Sequence, residues 1–188
     1  MADNHSENNL LEFRPRPSNG RRWTFAIGFG ALILCVAPFV ITSVLGELPW
    51  IVTGAFIFIG FAVSSPILVV AWLFPRMRYL IDDREIALQL EPVMDDRIRI
   101  EDIRRIRVKD ELKISWLASF RFPGFSIMDV EYIDENRVRM CATAASHRIM
   151  LIDTDRKRFG ITPDDEAGFL DELRRRISDP TVIEIDAE

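Results

Sequence analysis

The chain has 188 residues, 24 Lys+Arg against 29 Asp+Glu (net charge −5), 48% hydrophobic residues and two cysteines. That length suits one ordinary domain plus something smaller, and the acidic balance argues against a nucleic-acid module, which needs a basic stripe to neutralise phosphates. Cys35 lies in an apolar run far from Cys141, so no disulfide is expected and a reducing compartment suits the polar part.

Residues 1–20 are polar, with "HSENN" and "RPRPSNG" and few apolar anchors. They read as a disordered cytoplasmic tail whose arginines flank the first apolar run. The "RPRP" run also fits a ligand for a proline-recognising domain. A basic flank that sets topology is the simpler reading.

Residues 21–75 read as a transmembrane hairpin. Between 23 and 75 the only charged residue is Glu47. A spanning helix needs about 20 mostly apolar residues, and 23–45 and 50–74 each supply more. Gly46-Glu47-Leu48-Pro49 separates them as a tight turn. Glu47 is therefore expected at a water-exposed tip. An intramembrane acid would want a basic partner, and neither helix contains one. A cleaved signal peptide fits poorly, because the run is long and a second comes directly after it.

Arg14, Arg16, Arg21 and Arg22 precede the first span, Arg76 and Arg78 come after the second, and the tip has no Lys or Arg. Positive residues stay cytoplasmic, so both termini are expected inside. Trp23, Trp50 and Trp72 then fall near interfaces. Ala26 with Gly30, and Gly60 with Ser64, are small pairs at i,i+4 spacing that let helices approach closely. They are helix-packing candidates, either within the hairpin or toward another membrane protein. Pro38 and Pro66 are compatible with membrane helices and imply no gating.

From Met77 onward the chain carries 19 Lys+Arg and 25 Asp+Glu, a balance of −6. Short apolar or alternating runs succeed one another: "MRYLID", "EIALQL", "RIRI", "RRIRVKD", "SIMDVEYI", "RVRMCATAA", "RIMLIDTD" and "KRFGI". Polar turns at 82–84, 134–136 and 155–157 separate several of them. This predicts about seven short antiparallel strands in a sandwich or barrel. Thr162-Pro163-Asp164-Asp165 reads as a helix start, with Thr162 as N-cap and proline at the first position. Phe169, Leu170, Leu173 and Ile177 form one apolar face. Asp171 with Arg175 and Glu172 with Arg176 are expected as i,i+4 pairs. Asp179-Pro180 ends the helix, and 179–188 is expected as a loose tail. The whole is α+β: a membrane hairpin, then an antiparallel β-barrel or sandwich over 76–178 capped by one C-terminal helix.

From about Arg78 to Ile177 the chain resembles bacterial PH-like (pleckstrin-homology) domains found on small membrane proteins. "YLIDDREIAL", "IRIEDIRRIRV", "FRFPG", "RVRMCAT", "IMLIDT" and, most specifically, "GITPDDEAGFLDEL" carry the resemblance. It implies the fold and a multi-pass protein of the bacterial inner membrane, with no catalytic residue, cofactor or metal to carry over. Many eukaryotic PH domains hold inositol phosphates with a basic cluster between the first two strands. Here that turn is Asp82-Asp83-Arg84, a poor phosphate cradle, so no selective phosphoinositide binding is expected.

No other constellation points to chemistry. His147 is the only histidine of the polar part and has no ligand-spaced partners. Cys141 shares a strand face with Arg139 and reads as a structural thiol. Asp95-Asp96 and Asp164-Asp165 suit turns and a helix start, and Arg174-Arg175-Arg176 is offset by Asp171 and Glu172. Arg21, Arg22, Arg76 and Arg78 are the candidates for membrane-surface contact, each worth about 1 kcal/mol on anionic lipid. The expected role is a non-enzymatic, membrane-anchored module that binds a protein partner or a second copy. The alternative is an accessory subunit of a membrane transporter or channel, recognised through the helices.

Overall fold

The computed structural model of the chain describes residues 10–46, 49–113, 124–177 and 183–184. Glu47, the first part of the polar tail, most of "FRFPG" and Asp179-Pro180 lie outside the described residues. Two compact units divide the chain: Asn19–Pro75, and Met1–Ser18 together with Arg76–Glu188.

The first unit is a helix pair, α1 (Gly20–Val44) and α2 (Trp50–Leu73). A Cβ built at Gly28 would lie 2.8 Å from Leu68 Cδ2, and one at Gly60 would lie 2.8 Å from Val36 Cγ2. Further along, Phe39 and Phe56 stack with centroids 3.5 Å apart. Contacts thus run in opposite order along the two helices, which makes them antiparallel. Glycine at the crossing lets the backbones approach. Both helices are long and apolar enough to cross a membrane, and only 11% and 22% of their most apolar windows are buried within the chain. A core helix of a water-soluble protein would be mostly covered. Leu34, Val44, Trp50 and Phe58 are more than 70% exposed, a surface suited to lipid.

The second unit is built from strands with one helix. A four-stranded sheet runs in the order β1 (Leu11–Phe13), β2 (Met77–Ile81), β3 (Glu85–Leu90), β4 (Met94–Arg99). A six-stranded sheet runs β10 (Ile183–Glu184), β5 (Ile103–Glu111), β8 (His147–Thr154), β9 (Arg158–Ile161), β7 (Asn136–Ala142), β6 (Ser126–Tyr132). The expected strand runs are all present among the described residues. They form two sheets and not a closed barrel. Most pairings are antiparallel, but β9 lies between β8 and β7 and runs parallel to β7.

Central position changes the burial pattern. Ile149, Met150, Leu151 and Ile152 of β8 are all fully buried in succession, because a strand inside a covered sheet has no wet face. Val138, Met140 and Ala142 of β7 join Ile149, Leu151, Val130, Tyr132 and Leu112 in one core cluster. The opposite face of β7 meets the other sheet, where Tyr79 Oη donates to the Cys141 carbonyl at 2.7 Å.

The helix α3 (Glu166–Arg176) buries Phe169, Leu170 and Leu173, as its apolar periodicity predicts. Its N-cap is Asp165, which accepts from Gly168 N–H at 2.9 Å. The expected cap, Thr162, is fully buried, and its hydroxyl instead accepts from Thr143 N–H at 2.9 Å. Away from that buried face Asp171 pairs with Arg174, and Glu172 pairs with both Arg175 and Arg176. Asp171 therefore bonds one residue earlier than expected, since i,i+3 neighbours are equally within reach.

Two segments depart from the sequence expectation. Residues 10–18 are not a free tail. Leu11, Glu12 and Phe13 pair antiparallel with Ile81, Leu80 and Tyr79. Phe13 then sits edge-on to Phe169 at 5.1 Å. Arg16 N–H donates to the Thr162 carbonyl at 2.8 Å, Asp164 N–H donates to the Arg14 carbonyl at 2.9 Å, and Arg16 pairs with Glu166. "RPRP" is thus an extended strap on the β9–α3 junction. At the other end, Ile183 and Glu184 form β10 on β5 at Ile106 and Arg107, where a loose tail was expected. Both departures have one cause: an open sheet edge recruits short strands that local composition does not announce.

Gly160 on β9 offers a direct test of packing. A Cβ there would collide with Met140 Sδ and lie 3.2 Å from Val138 Cγ1. Gly160→Ala is expected to cost about 1–3 kcal/mol through overpacking, seen as a lower thermal midpoint of the detergent-solubilised protein.

Candidate functional site

The chemistry-bearing side chains are dispersed. His147 is exposed at the start of β8, opposite Glu111 in register. Cys141 is fully buried, and burial pushes its thiol up to about 12. A thiol so protonated is no nucleophile at neutral pH. Among the described residues no group of three or more His, Cys, Asp or Glu is arranged to hold a metal ion.

The densest polar cluster lies inside the fold. Glu135, in the turn between β6 and β7, is 5% exposed. Arg107 on β5 donates to both its oxygens at 3.0 Å, and Lys109 lies 2.9 Å away. Arg158 on β9 reaches the Glu135 carboxylate at 2.5 Å and its backbone carbonyl at 2.6 Å. Arg107 and Arg158 also both pair with Asp153 of β8. Three cations and two carboxylates thus tie four elements together. Burial pushes the Glu135 carboxyl up, but the hydrogen bonds from Arg107 and Lys109 outweigh it and hold the group below its ordinary value. Alternation along β5 places Arg107 and Lys109 on one face, but only the fold brings that face under the β6–β7 turn.

Beside this cluster is a depression of about 420 Å³, lined among others by Asp96, Arg97, Arg99, Asp102, Arg156 and Lys157. A second, of about 260 Å³, shares Arg156 and Lys157 and adds Arg137 and Arg158. Several donors at these rims are already engaged. Arg97 bonds Glu85 at 2.7 Å, Arg158 bonds Glu135, and the rim carboxylate of Asp155 accepts two bonds of 2.7 Å from Arg104 behind it. Such interleaved signs focus no strong field on one point. The β2–β3 turn is likewise closed on itself. Asp82 N–H donates to the Glu85 carbonyl, Asp83 N–H to the Asp82 carboxylate, and the Arg84 carbonyl accepts from Ile100 N–H.

The eight residues singled out from the sequence fall in several places. Arg21 and Arg22 are exposed in the first turn of α1, and Arg21 lies 5.6 Å over the Phe25 ring. Cations oppose the dipole at a helix N-terminus, so their position answers to something other than helix stability. Arg76 is exposed at the start of the second unit. Arg78 on β2 bonds Gln89 at 3.0 Å and Glu91 at 3.1 Å, so its charge is partly spent within the sheet. Gly60 and Ser64 are buried at the α1–α2 crossing. Ala26 is exposed, and nothing lies within 4 Å of a Cβ at Gly30. On α1 the buried small positions are Gly20, Thr24 and Gly28 instead. Sequence spacing alone cannot choose between such faces, because each is a valid i,i+4 pair.

The bacterial PH domain family model matches residues 77–177, from the first residue of β2 to the residue that ends α3. No curated protein and no solved structure matches the chain.

The buried groups generate two expected outcomes. A carboxyl held low when folded stabilises above its ordinary range, and that contribution is lost as pH falls through the folded value. Acid unfolding should therefore steepen below about pH 4.5, Glu135's ordinary value, and Glu135→Gln should flatten that limb. The same substitution leaves Arg107 and Arg158 with Asp153 alone and Lys109 without its carboxylate partner, and should cost about 3 kcal/mol at pH 7, measured by thermal unfolding. Iodoacetamide at pH 8 should leave Cys141 unmodified until the protein unfolds, read by mass spectrometry.

Proposed function

Because this chain belongs to the bacterial PH domain family, we propose that it is a non-enzymatic, membrane-anchored interaction module whose PH domain binds a protein partner or a second copy at the cytoplasmic face of the bacterial inner membrane. The observation that carries the reading is the combination of a matched PH domain with a pair of helices long and apolar enough to cross a membrane.

The orientation has its own support. Residues on both sides of the helix pair belong to one compact unit and share one sheet through β1 and β2. A hairpin with paired flanks leaves both on the same side of the bilayer. Arg14, Arg16, Arg21 and Arg22 before it, and Arg76 and Arg78 after it, favour the cytoplasmic side. Arg21, Arg22 and Arg76 are our candidates for contact with anionic lipid, with Arg78 a weaker fourth. In the rival reading, an accessory subunit of a transporter or channel, docking would use the face carrying Ala26 and Gly30. Gly60 and Ser64 are occupied within the hairpin.

Co-purification from cross-linked membranes tests the central reading. Recovery of a defined partner or of a homo-oligomer is expected; a monomer alone, at every protein density, counts against it. Gly30→Leu should leave that assembly intact, whereas loss of assembly with a folded PH domain would favour docking through the helices. For topology, Glu12→Cys and Lys157→Cys should both react with an impermeant maleimide only in inside-out vesicles. Calorimetry of the full-length protein with inositol hexakisphosphate at physiological salt should show no micromolar, saturable binding.

A further inference from the structure

The groove that holds β1 is matched to a particular extended segment. Its floor is the outer edge of β2, which pairs with residues 11–13. Phe169 receives the Phe13 ring edge-on, and Glu166 receives the Arg16 guanidinium. Thr162 and Asp164 supply the backbone bonds to Arg16 and Arg14, and Thr143 Oγ1 donates to the Arg16 carbonyl at 2.8 Å. The occupant is thereby specified: an aromatic residue in a short strand, then arginine three positions on, in a proline-held extended chain. Every copy of this protein carries that segment.

We infer that this groove also takes the 11–16 segment of a second copy, so that two chains exchange β1 strands. The inference rests on the self-association reading above and names the surface through which it occurs. Connectivity is the reason exchange is open to this strand. Paired antiparallel neighbours are usually joined by a tight turn, which forces pairing within one chain. Here β1 and β2 are separated by the whole Asn19–Pro75 unit. Between β1 and α1, Pro15 and Pro17 hold their own φ and keep the residues before them extended. With 11–16 exchanged, residues 17–19 form the connection to α1, which reaches up to ~10 Å.

The energetics favour no copy over the other. Exchange breaks and remakes the same contacts, so the balance falls to hinge geometry and local concentration. Two spans confine copies to a plane, which raises the concentration of one segment near another's groove. β1 is short, three residues, and lies at the sheet edge, so β2 is the one strand it pairs with. Of the other edge strands, β4, β6 and β10, β6 is guarded. Its outward Asp129 and Glu131 are exposed, and a copy paired there would set like charges against each other.

The register supplies the test. Glu12 pairs with Leu80, and neither is buried. In a Cys35→Ala background, Glu12→Cys and Leu80→Cys are placed on separate chains with different tags and co-expressed. Oxidation of membranes should give a disulfide-linked heterodimer, at least tenfold above a control pair of Glu12→Cys with Lys157→Cys. Adding Phe13→Ala to the Glu12→Cys chain should abolish the heterodimer. A single chain carrying both cysteines establishes that the pair can close. If it cross-links only within itself while separate chains give no heterodimer, exchange is overturned. If it does not cross-link at all, β1 does not pair at Leu80 and the inference also falls. A homo-oligomer recovered by co-purification without the heterodimer cross-link would leave self-association standing and remove this surface from it.

Discussion

The structure depends on a three-residue pairing. Leu11, Glu12 and Phe13 meet Ile81, Leu80 and Tyr79 across a separation in sequence that spans the entire helix pair. Closing a flexible loop of that length would be costly in entropy. The antiparallel packing of α1 on α2 reduces the cost, because contacts such as Gly28 with Leu68 return the chain toward its starting level. The helix pair is thus an insertion between neighbouring strands, and one compact unit draws on the chain on both sides of it.

That insertion accounts for the strap. Pro15 and Pro17 cannot donate backbone hydrogen bonds, so the segment bonds through Arg16 N–H and the Arg14 and Arg16 carbonyls. Phe13 contributes its ring to the Phe169 and Tyr79 core. Tyr79 in turn holds the Cys141 carbonyl and accepts from Thr162 N–H. Its phenol, fully buried among these bonds, is pushed far above its ordinary range by burial. A chain of contacts therefore runs from the N-terminal strand through the first sheet into β7 and α3.

A second constraint is the charge buried around Glu135. An acid of this kind is tolerated only with its lone pairs satisfied. Arg107, Lys109 and Arg158 meet that condition from strands that are far apart in sequence. The cluster pins the β6–β7 turn onto β5, β8 and β9. It also withdraws cations from the surface, which leaves the nearby depressions mixed in sign.

The amino-acid sequence by itself determined the elements whose signal is local. Fifty-three residues with one charge specify two helices long and apolar enough to cross a membrane. Alternating runs specify the strands, and Phe169, Leu170 and Leu173 specify the buried face of α3. The two short added strands, the side of α1 that packs and the partners of Arg107 were decided by tertiary structure. β1 and β10 have too few residues to show a period, and they exist because an open sheet edge offers them hydrogen bonds. Ala26 with Gly30 and Thr24 with Gly28 have the same spacing, and only the position of α2 selects the second. Arg107 looks like any strand arginine until Glu135 is folded over it. Local periodicity is a property of neighbours in sequence, whereas edge pairing, helix facing and buried charge are properties of neighbours in space.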